Sequence, residues 1–588
     1  ATVRLAPGRH RAAGRGLRRR LRARAASRRS SAAPAQGQRF LARAALLTAA
    51  LTAAGAVLGL ARDQTLAHLF GAGRDTDAFL VAWTVPEFAS TLLIEEAMAL
   101  LLVPAFSRAL ARRGAAGAAK GDPVRQLLRT TLPRLVLSTG AVAALVVVAA
   151  PQLVDLLAPG LDGMAHHDLA VDCTRLTATC VFTFALTGYF SAALRAHGRY
   201  LSPAVIYVAY NIGIIGTLVV AGPVWGVRAA AAGVAIGGLL MVVVQVPSLW
   251  RVLRTAHGGG SLPAASAPPD RGQAGLALAL MAPVVVFAVT RQSQVLVERF
   301  LASPLVEGAI SHLNYAQKVA QIPMVLSLML VTVSFPVVAR ELAAGRRAEA
   351  QRRMERDLVT AAMTVLVGAS VVIATAPQIV ELLFQRGAFD AEDTRATAVV
   401  MRVYALGLLG QTLVGALVRC YFSAARPLWF PALAMLAGVA VNIAAGVAAA
   451  DRFGAAGLAA ANALGITATA VLLLGGIRRK GVPLATGTVL MSLVKLTAAA
   501  AAATAAGWWV ASAPLGPLAA VVLAALAVVP VFVVSAAALR AAEVLSLLSS
   551  LSRRLPHVDT NPPPGRCDLP GAPRAAVDRD VPLDRRPG

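Results

Sequence analysis

The sequence predicts an all-α polytopic membrane protein of about 14 transmembrane helices, arranged as two six-helix lobes plus two C-terminal helices. Three observations lead there. Hydrophobic residues make up 57% of the chain and charged residues only 14%, where water-soluble domains carry about a quarter. Apolar stretches of membrane length recur from one end to the other. The text of the first half also returns, in order, in the second.

A hydrocarbon layer about 30 Å thick needs roughly 20 apolar residues at 1.5 Å of helical rise each. On that measure the first lobe holds spans near 41–61, 77–106, 132–157, 168–195, 202–221 and 226–250. The second holds spans near 275–301, 308–339, 357–384, 398–422, 429–450 and 455–477. Two more follow, near 484–510 and 516–547. Ala, Leu, Val and Gly dominate all of them, and small residues are what let membrane helices approach closely.

The repeat sets the boundary between the lobes. APQLVDLL at Ala150–Leu157 returns as APQIVELL at Ala376–Leu383, and YFSA at Tyr189–Ala192 returns unchanged at Tyr421–Ala424. Asn211-Ile212 returns as Asn442-Ile443, and the glycine-rich run from Gly226 returns from Gly454. Single matches of apolar text are common. Four in the same order, roughly 230 residues apart, mark an internal repeat. Six spans per lobe make the repeat parallel, with a cargo path expected between the lobes. The chain then divides into a disordered basic tail (1–40), an N-terminal lobe (41–255), a Gly/Ser/Pro/Ala linker (256–271), a C-terminal lobe (272–480), two extra helices (481–550) and a second disordered tail (551–588).

A net charge of +27 resembles a nucleic-acid signature, but its placement points elsewhere. Thirteen arginines and no acids lie in residues 1–43, and further basic clusters stand at Arg108–Lys120, Arg340–Arg353 and Arg478–Lys480. An even number of crossings puts them all on one side. The opposite loops are acidic, as at Asp155–Asp172 and Asp390–Asp393. The positive-inside rule therefore places both termini in the cytoplasm of a multi-pass plasma-membrane protein. Membrane lipids, not nucleic acid, are the partners this implies. The four cysteines have no metal-ligand spacing, and the preference for Arg over Lys suggests a GC-rich bacterial genome.

No motif for covalent catalysis or ATP binding occurs, so neither an enzyme nor a cofactor or metal is expected. What calls for explanation is charge inside apolar spans, which costs roughly 2.5–3.5 kcal/mol per residue at mid-bilayer and by default marks a functional path. Arg62-Asp63 follows the first apolar run, read as a helix ending at Leu60. Glu87, Glu95 and Glu96 lie in the second span, and Glu87 and Glu95, eight residues apart, fall within about 80° on one face. They face either a wet cavity or hydrogen-bonding neighbours. The seventh span carries Arg291, Glu298 and Arg299. Arg299, near its end, reads as snorkelling to the interface, whereas Arg291, halfway along, is a cavity candidate. The eighth span carries Ser311, Asn314, Gln317 and Lys318 as one polar stripe, with Pro323 and Pro336 expected to bend it. Glu87, Glu95, Glu96 and Glu298 are the candidates for coupling transport to a driving ion.

At these residues the chain resembles the MurJ/MviN flippases of the multidrug/oligosaccharidyl-lipid/polysaccharide exporter superfamily. The resemblance rests on LGLARDQTLAHLFGAGRDTDAF from Leu58, then VPEF and LLVPAFS, on LNYAQK followed by IP and SFP in span eight, and on LLFQRGAFDAEDT from Leu382. It implies a fourteen-helix exporter that turns lipid II from the inner to the outer leaflet by alternating access, with the lipid tail along the last two helices. Carried over, the family's functional positions fall on Arg62-Asp63, Asp77, Glu95 and Ser311. The chain also departs from the family. Gly55-Ala56 stands where relatives have Ser-Arg, Glu87–Thr91 replaces Asn-Leu-Leu-Arg-Arg, and Lys318 stands for an arginine. Two cavity arginines are therefore missing. A substrate site of Arg62, Asp77, Glu95, Arg291, Ser311 and Lys318 is expected. The alternatives are a paralogue exporting another amphiphile or polyprenyl glycan, and a non-transporting scaffold for cell-wall synthesis proteins.

Overall fold

The computed structural model describes residues 46–96, 102–115, 122–161, 164–254, 271–344, 346–422, 428–477 and 484–541, and no strand occurs among them. Both expected tails, nearly all of the linker, and the Glu95 and Glu96 side chains lie outside the described residues.

Helix α1 (Leu46–Phe70) runs ten residues past its expected end and carries Arg62 and Asp63 inside it. Nothing between Leu60 and Phe70 is Gly or Pro, so the helix has no reason to stop where its apolar run does. It stops at Gly71, whose φ of 64° suits a residue without Cβ and whose N–H returns to the Ala67 carbonyl at 2.8 Å.

Helix α2 (Arg74–Ala89) contains Pro86 and passes into a π-helical stretch, Ser90–Glu96, before α3 (Val103–Ala115). Proline has no N–H to give the carbonyl four residues back. That carbonyl, Ala82 O, instead accepts from Thr177 Oγ1 of α6 (Met164–Ala196) at 3.1 Å. Helices α4 (Pro123–Val148) and α5 (Ala150–Leu157) precede α6, and α7 (Leu201–Trp225) and α8 (Arg228–Arg254) follow it. α7 and α8 touch backbone to backbone: a Cβ on Gly213 would sit 2.7 Å from Gly237 Cα. That close approach is what small residues permit.

The later helices are α9 (Arg271–Ala302), α10 (Ala309–Ala320), α11 (Ile322–Ala343), α12 (Arg347–Ala374), α13 (Ala376–Phe384), α14 (Ala391–Ala405), α15 (Leu408–Phe422), α16 (Phe430–Ile477), α17 (Thr486–Ala511) and α18 (Pro517–Ala538). The eighth expected span is two helices, α10 and α11, interrupted at Gln321 just before Ile322-Pro323. Pro336, by contrast, leaves α11 unbroken. α14 and α15 form one path bent by 45°. α16 joins two expected spans through a break at Gly454 (φ 55°). Among the described residues, ten helices are long and apolar enough to cross a membrane, or eleven with the bent pair as one span. That measure does not reach the expected fourteen; α16, which covers two expected spans, counts once.

α17 and α18 pack on α12 through Val359, Leu366, Leu496, Ala503, Val528 and Phe532. Gln378 Nε2 donates to Ala511 O at 3.0 Å, and the Arg402 guanidinium lies 4.2 Å above the Trp508 ring. At the other edge of the bundle, the loop joining α1 to α2 meets the α9–α10 and α13–α14 loops. This first-loop end positions the site.

Candidate functional site

Two polar groups join helices before residue 254 to helices after residue 271. The first is centred on Asp63 of α1. Arg62 Nε and Nη2 donate to Asp63 Oδ1 at 3.0 and 2.7 Å, and Lys318 Nζ of α10 donates to Asp63 Oδ1 at 3.3 Å and lies 3.1 Å from Oδ2. One carboxylate thus serves two cations from opposite halves of the chain. Arg62 Nη1 also reaches Asn211 Oδ1 at 3.4 Å, while Asn211 Nδ2 donates to the Gly55 and Tyr207 carbonyls at 3.1 and 2.9 Å. That amide ties the guanidinium to the α1–α7 contact.

Trp83 of α2 forms the floor of this group. Its ring centre lies 4.5 Å from Arg62 Cζ and 5.7 Å from Lys318 Nζ, both within cation–π range. Arg62 and Asp63 are 13% and 6% exposed and Lys318 31%, so the group opens on the Lys318 side. The space left beside it, walled by Leu66, Phe79, Leu80 and Ile214, is about 10 Å³, room for one water. Glu87, half-buried, lies within electrostatic reach of Arg62, Lys318 and Glu298.

The second group closes the first-loop end. Asp77 of α2 accepts from Gly308 N (2.9 Å), Ser311 N (2.8 Å) and Ser311 Oγ (2.6 Å). Gly308 is the residue before α10 and has no side chain with which to cap it. Asp77, 6% exposed, supplies that cap from across the bundle, with its negative charge at the positive end of the helix dipole. Around it Ala72 N donates to Asp393 Oδ2 (3.3 Å), Arg74 N to Glu307 Oε1 (3.2 Å) and Ala388 N to His68 O (2.9 Å). Gly160 N donates to Ser303 Oγ at 3.2 Å, and Gln64 Nε2 to Leu383 O at 2.9 Å. Behind this surface His312 Nδ1 pairs with Thr397 Oγ1 at 2.9 Å, with Nε2 3.9 Å from Asp393 Oδ1.

Of the expected site residues, Arg62 and Lys318 come together, and Asp77 and Ser311 come together elsewhere, at the closed end. Arg291 is exposed, about 10 Å along α9 from Glu298. Glu298 is buried. Arg299 does not snorkel: it is 2% exposed and donates from Nη1 to Ile310 O at 3.3 Å, because the turn into α10 folds over it. Sequence reasoning missed Trp83, Asn211, His312 and the cross-chain role of Asp393. Asn211 is visible in the sequence as a repeat marker, and Asp393 as part of an acidic loop. An aromatic residue between the charged positions of the second span was the available signal for Trp83.

The profile of the family described as Lipid II flippase MurJ matches residues 66–529, most of the chain. The chain belongs to the MurJ lipid II flippase family. It is 27% identical over 387 residues to the lipid II flippase MurJ of Burkholderia cenocepacia, covering 65% of this chain and 73% of that one. It is 24% identical over 475 residues to the probable lipid II flippase MurJ of Bdellovibrio bacteriovorus, covering 78% and 86%. Among solved structures, a lipid II flippase MurJ in an inward closed conformation superposes with a TM-score of 0.68 at 18% identity, over 87% of this chain and all of that one. An inward-facing MATE family multidrug transporter superposes at 0.57 and 14% identity, over 76% and 99%. The MurJ fold and a multi-pass membrane location follow from these matches. The MurJ family names describe transporters.

Proposed function

We propose that this chain turns lipid II from the inner to the outer leaflet by alternating access of two six-helix lobes, 41–255 and 272–480. The observation that carries the reading is the shared carboxylate: Arg62 and Lys318, from different lobes, both hold Asp63. A diphosphate offers the same cations the same kind of oxygen partner, and arginine holds it through two parallel bonds. Charge placement supports an orientation with the first-loop end outside, in which the Asp77 cap closes the path to the outer leaflet and the headgroup enters from the cytoplasm. Moving a sugar-peptide headgroup through hydrocarbon unaided would cost roughly 2–7 kcal/mol for every unpaired polar group. A protein-lined route removes that cost. The lipid tail stays in the bilayer along α17 and α18, and separation of Asp77 from α10 opens the outer side.

One observation favours a second reading. Glu87 lies within electrostatic reach of both cations, at a stretch where the family resemblance implies arginines. A paralogue exporting a less anionic amphiphile fits that acid better. Rescue of a strain depleted of its lipid II flippase, read by lipid II exposed on the outer leaflet, separates the two. Rescue by this chain, abolished by Arg62→Ala, supports lipid II. Failure to rescue at normal membrane abundance supports the paralogue.

A further inference from the structure

We propose that the groove between α3 and α4 binds the phosphate headgroup of an acidic membrane phospholipid, at the end of the bundle opposite the first loop. The groove has a volume of about 370 Å³. One wall carries Arg108 and Arg112, four residues apart on α3 and therefore on one face. The other carries Gln126 and Thr130, again four apart, on α4. All four are exposed, and Ala105, Ala109 and Leu127 line the space between the walls. Arg108 Nε donates to the Pro104 carbonyl at 3.2 Å, which ties its guanidinium to α3 at the groove's wall. Two guanidinium forks opposite an amide and a hydroxyl suit the oxygens of a phosphodiester. Asp122 stands beside the groove with its carboxylate engaged by Val124 N at 3.1 Å and facing Arg125 at 3.7 Å.

The helix below the groove argues for a lipid over a soluble anion. Continuing along the α4 face that carries Gln126 and Thr130 leads first to Arg134 and then to Leu137, Ala141, Leu145 and Val148, all exposed. From Thr130 to Ala141 the rise is about 16 Å, close to the hydrocarbon depth of one leaflet. A basic recess bordered by Arg134 and continued by an exposed apolar strip matches an amphiphile with an anionic head. A free phosphate would have no use for the strip. The inference rests on membrane embedding and on these side chains, and is independent of the cargo proposed above.

The test is native mass spectrometry of the full chain in detergent with equimolar phosphatidylglycerol and phosphatidylcholine, read as the ratio of the two retained. The wild type should retain phosphatidylglycerol in about tenfold preference, since each basic side chain near an anionic headgroup adds to the attraction. Arg108→Gln with Arg112→Gln should bring the ratio close to one, and so should Gln126→Glu with Thr130→Glu on the opposite wall. Arg352→Gln with Arg353→Gln removes the same charge from exposed positions at the same end of the bundle and should leave the preference intact. Millimolar inorganic phosphate should not displace the bound lipid. An unchanged ratio in both groove variants would overturn the proposal, as would an equal loss in the Arg352/Arg353 variant, which would mean general surface attraction. Displacement by phosphate would make the groove a soluble-anion site and overturn the lipid assignment.

Discussion

Replacing Asp77 by Asn tests whether one carboxylate holds the first-loop end shut. Asp77 accepts three hydrogen bonds, two of them from backbone N–H groups at the start of α10, and all three are buried. Asparagine keeps the shape but offers a single acceptor oxygen, removes the charge, and turns an amide N–H₂ toward a donor. Losing an N-cap costs roughly 0.5–2 kcal/mol, and charge-assisted bonds lie toward the upper part of such ranges. Hydrogen bonds between membrane helices run lower, averaging about 0.6 kcal/mol each. A loss of about 1.5–3 kcal/mol from the closed state is therefore expected, a shift of roughly ten- to a hundredfold toward the open form. Asp75 and Glu392 are exposed on either side of the closure and accept spin labels through cysteine. Pulsed dipolar spectroscopy between them should show a new, longer distance in Asp77→Asn and a larger fraction of it in Asp77→Ala. Unaltered distance distributions in both variants, with the chain folded, would refute the cap as the element holding that end.

Three further outcomes follow from the same geometry. Lys318→Arg replaces a point charge by a planar fork opposite Asp63 and should raise affinity for a diphosphate headgroup, measured by lipid II binding to the purified chain. Arg62→Ala should lower the melting temperature as well as transport, because it breaks the buried Arg62–Asp63 pair; the loss should stay below the about 3–5 kcal/mol of a fully broken buried pair, since Lys318 remains as Asp63's cation. Arg62→Ala with Asp63→Asn should be less stable still, because Lys318 then loses its counter-charge. Thr177→Val keeps the side-chain volume but leaves the Ala82 carbonyl opposite Pro86 without its donor, a cost of about 0.6–2 kcal/mol that thermal unfolding in detergent should register.

The helical class and the family were legible because both live in local text. Apolar runs report burial in lipid residue by residue, and the motifs around Arg62 and Lys318 are contiguous. Boundaries were less legible where two local signals disagree. At α1 the apolar run ends at Leu60 but the helix does not, since polar residues are no obstacle to helical backbone and only Gly71 stops it. At Pro323 and Pro336 the same residue type has different outcomes. Pro323 lies in the first turn of α11, where a missing N–H costs little, and the chain breaks just before it; Pro336 lies inside α11 and the helix continues. The sequence text is the same in kind, and packing decides between the outcomes.

The site was legible as a set of misplaced charges and not as a set of pairs. Arg62 and Lys318 are separated by 256 positions, so nothing local indicates that they share Asp63. Arg299 looked able to reach water because its place near the end of a span leaves the covering turn out of account; in the structure Ile310 lies over it. Tertiary contact also changes what the cations mean. Two positive groups held beside one tryptophan in a largely buried site need a counter-charge even when no cargo is present. Asp63 provides it, so the resting site is already satisfied. If the proposed function holds, an anionic headgroup has to compete with Asp63 for Arg62 and Lys318, and cannot simply add to them. Since the two cations belong to α1 and α10, on opposite sides of the proposed cargo path, that competition would weaken a bond between the halves and so link occupancy of the site to their separation.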